Sequence, residues 1–249
     1  MHSYYKYIFL LAITYSNFVL AQLPQEEKMM VRITKEVWIG GMLHTNGMGM
    51  SFNTAKFKTY KKKQLFNLEL LNLKHEKEYK IFGSFDENAK KYVYGKLNSL
   101  YALRMGMGRR KILFEKLREN GLQLALNWTA GPSFGLIKPV YLEVFKYDLS
   151  GKVAGVSLER YDPEEHNIYN IYGRGPWAAG LIYTKINPGL YFKAGLEFDY
   201  SNSREIINSI ELGFAVDSYL NTITTMVDNK ARRVFPILYL NLSVGNKFY

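Results

Sequence analysis

The stretch from Gly121 to Val144, GLQLALNWTAGPSFGLIKPVYLEV, decides the fold. Apolar side chains occupy nearly every even position from Leu122 to Leu136, and the odd positions between them are Gln123, Ala125, Asn127, Thr129, Gly131, Ser133 and Gly135. A period of two is that of a β-strand, whose successive side chains point to opposite faces. The run is long, and its second face is small and polar, which is typical of a strand between lipid and a filled lumen. We therefore predict a transmembrane β-strand.

The same alternation recurs along the chain and predicts about eight strands. They are placed near 31–43, 48–53, 65–75, 92–107, 121–144, 190–200, 210–217 and 238–244. Asn46-Gly47 between the first two is a strong hairpin signal. Single-chain bacterial barrels have an even number of strands, so the predicted fold is all-β, a closed antiparallel transmembrane β-barrel of eight strands.

The connections between these strands differ in length. With a periplasmic N-terminus, short turns are expected at one end of the barrel and long loops at the other. Lys61–Lys63 and Ser201–Ser203 fit the short turns, and the long loops are placed at 76–90, 148–187 and 221–233. Two connections depart from the rule: 109–120 is a long basic connection at the short end, and Asn46-Gly47 is a tight turn at the long end. We expect 148–187 to be a large outer loop folded over the barrel mouth, with 177–183 as a short helix or lid.

The N-terminus has the pattern of a secretory signal peptide. Lys6 is followed by an apolar stretch, Tyr7–Leu20, and by Val19-Leu20-Ala21 before Gln22. The predicted organisation is a signal peptide at 1–21 and an outer-membrane barrel domain at 22–249. No apolar run reaches the length of a membrane-spanning helix, which excludes a helical membrane protein. The chain has no Cys, which excludes disulfides and a lipoprotein anchor.

The composition is basic and aromatic. Removal of the signal peptide takes away Lys6, so the formal charge of the mature chain is 32 minus 22, or +10. For an exported protein this charge favours outer-membrane lipid and lipopolysaccharide as partners over nucleic acid; the alternative is that the basic residues merely solvate loops. The 20 Tyr and 15 Phe suit the aromatic girdles of a barrel, or alternatively a Tyr-rich β-sandwich.

The C-terminus carries a further signal. Leu238, Leu240, Leu242 and Val244 alternate before Lys247-Phe248-Tyr249. This end resembles the terminal β-signal of outer-membrane proteins, an amphipathic last strand that closes on an aromatic residue. With the signal peptide and the strand around 131–138, the mature chain resembles small outer-membrane barrels of the Bacteroidota type. The resemblance implies the fold, location in the outer membrane and recognition by the barrel-assembly machinery through Leu240, Leu242, Val244, Phe248 and Tyr249.

Several charged residues fall on the polar side of the predicted strands. They are Glu69, Lys96, Arg104, Lys193, Glu197, Asp199, Glu211 and Asp217. The interior of an eight-stranded barrel is just wide enough to be filled by side chains. Buried charges there must pair and hydrogen-bond with one another, so we predict a salt-bridged plug around Arg104. A proton or ion path along the same residues is the alternative.

No motif in the sequence identifies catalysis, a metal or a cofactor. Barrels that deacylate lipid A use a Ser, a His and an acidic residue near the outer rim, but His44, His75 and His166 have no convincing Ser partner. Cys residues and His pairs at ligand spacing are absent. The acidic cluster Asp162–His166 is interpreted as a solvated loop, with a cation site as the alternative. We therefore expect no catalytic, cofactor-binding or metal-binding residue.

The remaining hypothesis is interaction with other proteins. Long aromatic and basic loops on a filled barrel indicate a non-enzymatic structural or accessory subunit of an outer-membrane protein assembly or secretion complex. Its other envelope proteins are expected to meet the loop residues Tyr169, Tyr172, Arg174 and Trp177. The alternatives are an outer-membrane lipid-modifying enzyme and a narrow channel.

Overall fold

The computed structural model describes residues 35–59, 61–83, 89–116, 121–203, 205–227 and 229–248. Their regular structure is β1 (Lys35–His44), β2 (Gly47–Thr59), β3 (Lys62–Leu73), β4 (Lys80–Ile81), β5 (Tyr92–Val93), β6 (Asn98–Phe114), β7 (Gln123–Pro139), β8 (Tyr141–Tyr147), β9 (Val153–Arg160), β10 (Ile171–Arg174), β11 (Lys185–Asp199), β12 (Ile206–Ile223) and β13 (Arg232–Phe248). The predicted signal peptide lies outside the described residues. In the described ranges, no helix has the length and apolar content needed to cross a membrane.

Eight of these strands form a closed barrel. Its order is β1-β13-β12-β11-β7-β6-β3-β2, and every neighbouring pair is antiparallel. The ring closes where β1 pairs with β13, from Lys35 opposite Phe248 to His44 opposite Tyr239. The predicted fold class is confirmed.

The two faces of the barrel wall follow the alternation of the sequence. In β7, Ala125, Asn127 and Thr129 are buried in the lumen, whereas Leu126 and Trp128 point outward and are exposed. The other barrel strands behave in the same way, with outward Ile39, Met50, Phe66, Met107, Leu190, Leu212 and Leu242. An apolar exterior on a closed ring without free edges is what a lipid bilayer requires of a β-protein.

The stretch 121–144 is divided between two sheets. The barrel strand β7 ends at Pro139, and β8 belongs to a separate sheet of order β10-β8-β9. Pro139 has no N–H to continue the ladder, and the next N–H, that of Val140, donates to the carbonyl of Leu97 instead. The interruption expected at Lys138-Pro139 is therefore where the barrel strand ends, and the assignment of the resumed alternation up to Val144 to the same transmembrane strand is wrong.

The strand predicted at 92–107 is also placed differently. Tyr92–Val93 forms the short β5, which pairs with β4, and the barrel strand β6 begins only at Asn98. At its other end β6 continues to Phe114. The first part of the basic connection predicted at 109–120 is therefore barrel wall.

The two ends of the barrel carry connections of different length. One end holds the beginning of β1, the end of β13 and the β2–β3, β6–β7 and β11–β12 turns. The opposite end holds the three long connections and the tight β1–β2 turn, where Gly47 has a φ of 145° that favours glycine. Since bacterial barrels have short periplasmic turns and longer external loops, the long connections face outward.

The described parts of the three long connections pack together into one unit, which we call the outer cap. It consists of 74–83 with 89–97, of 140–184, and of 224–227 with 229–231. Its core consists of Tyr92, Leu142, Val144, Tyr161 and Ile171, with Ile81, Leu97, Val140 and Val227 packed against them. All three connections contribute to this core. The cap is therefore a folded structure with an apolar interior of its own.

Candidate functional site

Charged side chains that pair with one another fill the middle of the lumen. Arg104 of β6 is fully buried, and its Nη1 donates to Glu69 Oε2 at 3.0 Å. Its Nε donates to Asp217 Oδ1 at 2.9 Å, and its Nη2 donates to Asp217 Oδ2. Lys193 Nζ donates to Glu69 Oε1 at 2.7 Å and lies 3.5 Å from Glu211 Oε1. The cluster joins strands β3, β6, β11 and β12 across the lumen.

A second cluster lies nearer the periplasmic end. Lys63 Nζ donates to Glu36 Oε1 at 2.6 Å. Arg110 Nη2 donates to Glu197 Oε1, and Arg110 Nη1 lies 3.5 Å from Glu36 Oε2. Asn127 Nδ2 donates to the other oxygen of Glu197. Buried charges are tolerated when they are paired in this way.

The third group of charges lies near the periplasmic mouth. Asp199 accepts from Lys116 Nζ at 2.9 Å and from Lys247 Nζ at 3.3 Å. The hydroxyl of Ser201 donates to the same carboxylate at 2.6 Å. The end of β11 is thereby tied to β13 and to the segment after β6.

The charges of the described lumen balance. It contains six carboxylates and six basic groups, and each of the twelve belongs to at least one ion pair. The carboxylates are Glu36, Glu69, Glu197, Asp199, Glu211 and Asp217. The basic groups are Lys63, Arg104, Arg110, Lys116, Lys193 and Lys247. Towards the outer end, an apolar cluster that includes Leu71, Leu100, Ile223 and Ile237 fills the lumen. A filled, neutral interior is suited to holding the wall together rather than to passing ions.

Seven of the eight charged residues predicted for the lumen lie there, and Lys96 does not. Lys96 precedes β6 and pairs with Glu78 in the outer cap, so its assignment to the lumen is corrected. The sequence interpretation missed five partners, which are Glu36, Lys63, Arg110, Lys116 and Lys247. Lys63 and Arg110 share the inward parity of Glu69 and Arg104 in their strands, and this parity is the signal by which they are identifiable.

The three histidines considered as candidate catalysts lie beside turns: His44 ends β1, and His75 and His166 lie in the outer cap. The Nδ1 atoms of His44, His75 and His166 accept the backbone N–H of Asn46, Lys77 and Asp162 at 3.3, 3.1 and 2.9 Å. Each ring therefore stabilises the local backbone turn through a hydrogen bond to a nearby N–H. In the described ranges, no group of three or more His, Asp or Glu side chains has the arrangement of a metal site.

The ring of His166 also contacts a carboxylate. Its Nε2 lies 3.2 Å from Glu159 Oε2, and its ring stacks on Tyr161. Hydrogen bonds from Lys146, Ser157 and His166 lower the pKa of Glu159 to about 2, so this carboxylate stays ionised. The contact joins the 161–166 loop to strand β9 of the cap.

The segment 175–184 lies on the outside of the barrel wall. Trp177 Nε1 donates at 3.1 Å to the hydroxyl of Tyr101, an outward residue of β6. Lys138 Nζ donates to the carbonyls of Trp177 and Ala179 at 2.5 and 3.2 Å. The segment consists of successive turns, so the prediction of a helix or lid over the mouth is wrong. It places Trp177 and Ile182, which are 61% and 94% exposed, beside the lipid-facing surface.

This position predicts that Trp177 contacts lipid. The chain has three tryptophans, so a protein with Phe at positions 38 and 128 reports on Trp177 alone. In vesicles of lipid brominated near the headgroup, we expect its fluorescence to be strongly quenched, because indole rings at a barrel rim lie at the membrane interface.

The other two tryptophans are matched controls. Trp128 is outward and 40% exposed, and it should also be quenched, whereas Trp38 is 3% exposed in the lumen and should be unaffected. If aqueous acrylamide quenched Trp177 fully while brominated lipid had no effect, the segment would lie away from the membrane.

The remaining residues of the predicted partner-facing loop differ in exposure. Tyr169 is 88% exposed, and Arg174 is exposed while its backbone N–H donates to the Lys90 carbonyl at 3.1 Å. Tyr172 packs edge-on against Phe145, with 5.3 Å between ring centroids. Tyr169 and Arg174 are accessible to a partner, and Tyr172 supports the cap sheet.

The predicted assembly signal lies in β13. Leu242, Val244 and Phe248 point outward and are exposed, and Leu240 has the same parity. Tyr249 lies outside the described residues. This strand pairs with both β1 and β12, so it completes the ring.

Comparison with known proteins yields only structural similarity. No family model and no curated protein match the sequence. Ail of Yersinia pestis is similar with a TM-score of 0.40 and 9% sequence identity, over 86% of this chain and 97% of that chain. Neisserial surface protein A is similar with a TM-score of 0.40 and 10% identity, over 86% of this chain and 96% of that chain. The N-terminal β-barrel domain of Pseudomonas aeruginosa OprF is similar with a TM-score of 0.37 and 9% identity, over 87% of this chain and 98% of that chain. The apolar exterior of the closed ring is the feature that decides the location. The chain is a small outer-membrane β-barrel.

Proposed function

We propose that this barrel is a non-enzymatic structural or accessory subunit of an outer-membrane protein assembly or secretion complex. The observation that carries the proposal is the outer cap, which has its own core and keeps one face of its sheet uncovered. The filled lumen leaves the cap and the outer wall as the surfaces through which the protein can act.

The uncovered face belongs to β8 and β9 and combines an apolar patch with the charged residues Glu143 and Arg160. Leu142 and Val144 of β8 point into the cap core, so Phe145 points to the opposite face. In β9, Val156 lies opposite Phe145 and Leu158 lies opposite Glu143. The side chains of Val156 and Leu158 are therefore on the uncovered face. Strand β9 also has an open edge, since the sheet order is β10-β8-β9. Open edges and exposed apolar patches are common protein-binding surfaces.

The face continues into the outside of the barrel. Tyr141 of β8 stacks on Tyr183 of the segment 175–184, with 6.4 Å between ring centroids. A Cβ atom on Gly175 would approach Leu158 Cδ1 to 2.5 Å, which shows how closely this segment passes the sheet. A partner on this face would therefore stand beside the barrel, in or at the same membrane, as a neighbouring subunit does.

The test is co-purification after gentle detergent extraction. A larger complex should retain the wild-type barrel stoichiometrically and should lose the double variant Val156→Glu/Leu158→Glu. Lys152→Glu is the matched control, because it makes the same change in net charge on the exposed turn before β9. A monodisperse free barrel in wild-type extracts would contradict the proposal.

Two further assignments extend the proposal. Recognition of β13 by the barrel-assembly machinery and membership of the Bacteroidota type rest on the resemblance of the C-terminus. The rival functions have direct tests. Altered lipids in a deletion strain would favour a lipid-modifying enzyme, and discrete conductance in planar bilayers would favour a channel.

A further inference from the structure

A belt of basic side chains surrounds part of the barrel exterior at its periplasmic end. The belt consists of Lys35 of β1, Lys56 and Lys58 of β2, Lys62 of β3, and Arg109 and Lys111 of β6. All six are exposed and have the outward parity of their strands. Their inward neighbours Lys63 and Arg110 belong to the lumen clusters instead.

Cross-strand register places these charges side by side. Lys35 is opposite Lys56, and Lys62 is opposite Lys111. Arg109 is opposite Gln64, which is in turn opposite Lys56. Like charges directly across a ladder destabilise a sheet. An anion bound from outside the barrel would reduce this repulsion.

Within the described strands, this face carries no counter-charge. Neither 48–68 nor 98–114 contains an Asp or a Glu. None of the six belt residues forms an ion pair with any residue that the structure describes. The outward residues at the same end of β7, β11, β12 and β13, such as Leu124, Phe198, Ile206 and Asn246, are uncharged. The belt is thus confined to one side of the barrel.

The belt lies near the periplasmic edge of the apolar exterior, with Leu113 and Phe114 of β6 beyond it. In β3 and β6 the last apolar outward residues before the belt are Phe66 and Met107, and Lys62 and Arg109 lie four and two positions nearer the periplasm. At about 3.3 Å per residue along strands that tilt roughly 35–45° from the barrel axis, the basic groups lie roughly 5–11 Å nearer the periplasm than these side chains, which contact hydrocarbon. Lysine and arginine at that depth extend their stems along the lipid and their charges to the headgroups.

We propose that this belt binds the phosphate groups of anionic glycerophospholipids in the periplasmic leaflet. The site is built by four adjacent strands, and its ligand is the phosphodiester rather than the acyl chains. Because the belt is one-sided, such lipids collect at β1, β2, β3 and β6 and leave the β11–β12 side free.

The test measures lipid selectivity of the full mature chain in bilayers. Spin-labelled phosphatidylglycerol and phosphatidylcholine are compared for their association with the barrel. Wild type should prefer phosphatidylglycerol by at least about fivefold, the factor that one basic residue near an anionic surface is worth. The variant Lys35→Gln/Lys56→Gln/Lys62→Gln/Lys111→Gln keeps Lys58 and Arg109, so it should lower the ratio clearly below that of wild type without abolishing it. Added salt should weaken the wild-type preference.

A charge-matched variant distinguishes the belt from net charge. Lys74→Gln/Lys80→Gln/Lys90→Gln/Lys152→Gln removes four exposed lysines from the outer half and should keep the selectivity. Equal association of both lipids with wild type would overturn the proposal, and so would loss of selectivity in the charge-matched variant. A preference for lipopolysaccharide without one for phosphatidylglycerol would also overturn it, because it would place the belt in the other leaflet.

Discussion

Replacement of Arg104 by methionine is expected to destabilise the barrel by about 3–5 kcal/mol, the cost of leaving buried carboxylates without their partner. Glu69 and Asp217 both accept from this guanidinium, and all three side chains are fully buried. The lumen wall gives neither carboxylate access to bulk water. The free energy of unfolding, measured by urea titration in lipid vesicles with tryptophan fluorescence as the readout, is the quantity to compare.

Arg109→Met is the control for the Arg104 variant. Arg109 lies in the same strand but points outward and is exposed. In vesicles of phosphatidylcholine, which has no net charge, its replacement should change the free energy of unfolding by no more than about 0.5 kcal/mol, as for ordinary surface positions. A loss below about 1 kcal/mol for Arg104→Met would mean that water reaches the carboxylates and that the lumen is not sealed around them.

Replacement of Gly108 by valine is expected to prevent correct closure of the barrel. A Cβ atom at this position would lie 1.8 Å from the carbonyl oxygen of Trp128 and 2.7 Å from the Cα of Thr129. Both atoms are backbone of the neighbouring strand β7, so β6 and β7 would have to separate. The loss of stability should exceed the roughly 1–3 kcal/mol that ordinary overpacking of a core costs. The fraction of protein that migrates as a compact folded band in unheated SDS gels measures the effect.

Gly41→Val provides the comparison for Gly108→Val. Gly41 also lies within a barrel strand, but nothing lies within 4 Å of an added Cβ atom there. This variant should fold as wild type does, since valine suits an outward position in a strand. Equal folding of the two variants would show that β6 and β7 can move apart without loss of the ring.

The barrel could be predicted from sequence because one physical constraint acts on every residue of its wall. A shift of one residue would turn lipid-facing leucines into the lumen, so the alternation must persist over each strand. The positions of Glu69, Arg104 and Asp217 in the lumen could be predicted for the same reason, because each has the parity of the polar face of its strand.

The limits of that prediction have equally specific causes. A period of two identifies a strand but not the sheet to which it belongs, so Tyr141–Tyr147 resembles barrel wall although it forms the centre of the cap sheet. Gly95, with a φ of 75°, reverses the chain just before Lys96, and parity counted across such a turn carries no information. Arg110 lies in a run of basic side chains beyond the predicted end of its strand, so its inward parity with Arg104 is visible only once the strand is known to continue. Its pairing with Glu197 shows that it belongs inside.

The cap could be predicted only as a loop. Its core joins Tyr92, Leu142 and Ile171, which come from connections far apart in the sequence. No local pattern indicates that such segments meet. The position of Trp177 outside the wall depends likewise on one hydrogen bond to Tyr101 and on the carbonyl contacts of Lys138.

The central ion pairs also join parts of the chain that lie far apart in the sequence. Glu69 and Arg104 lie on adjacent strands, β3 and β6, and can meet as soon as the first half of the chain is paired. Asp217 lies on β12, much later in the sequence. The ring closes only through pairing of β1 with β13, the first and last strands. Such long-range pairing is slow. Without β12, Arg104 would lack the carboxylate of Asp217, so pairing of the C-terminal strands is favoured by charge as well as by backbone hydrogen bonds.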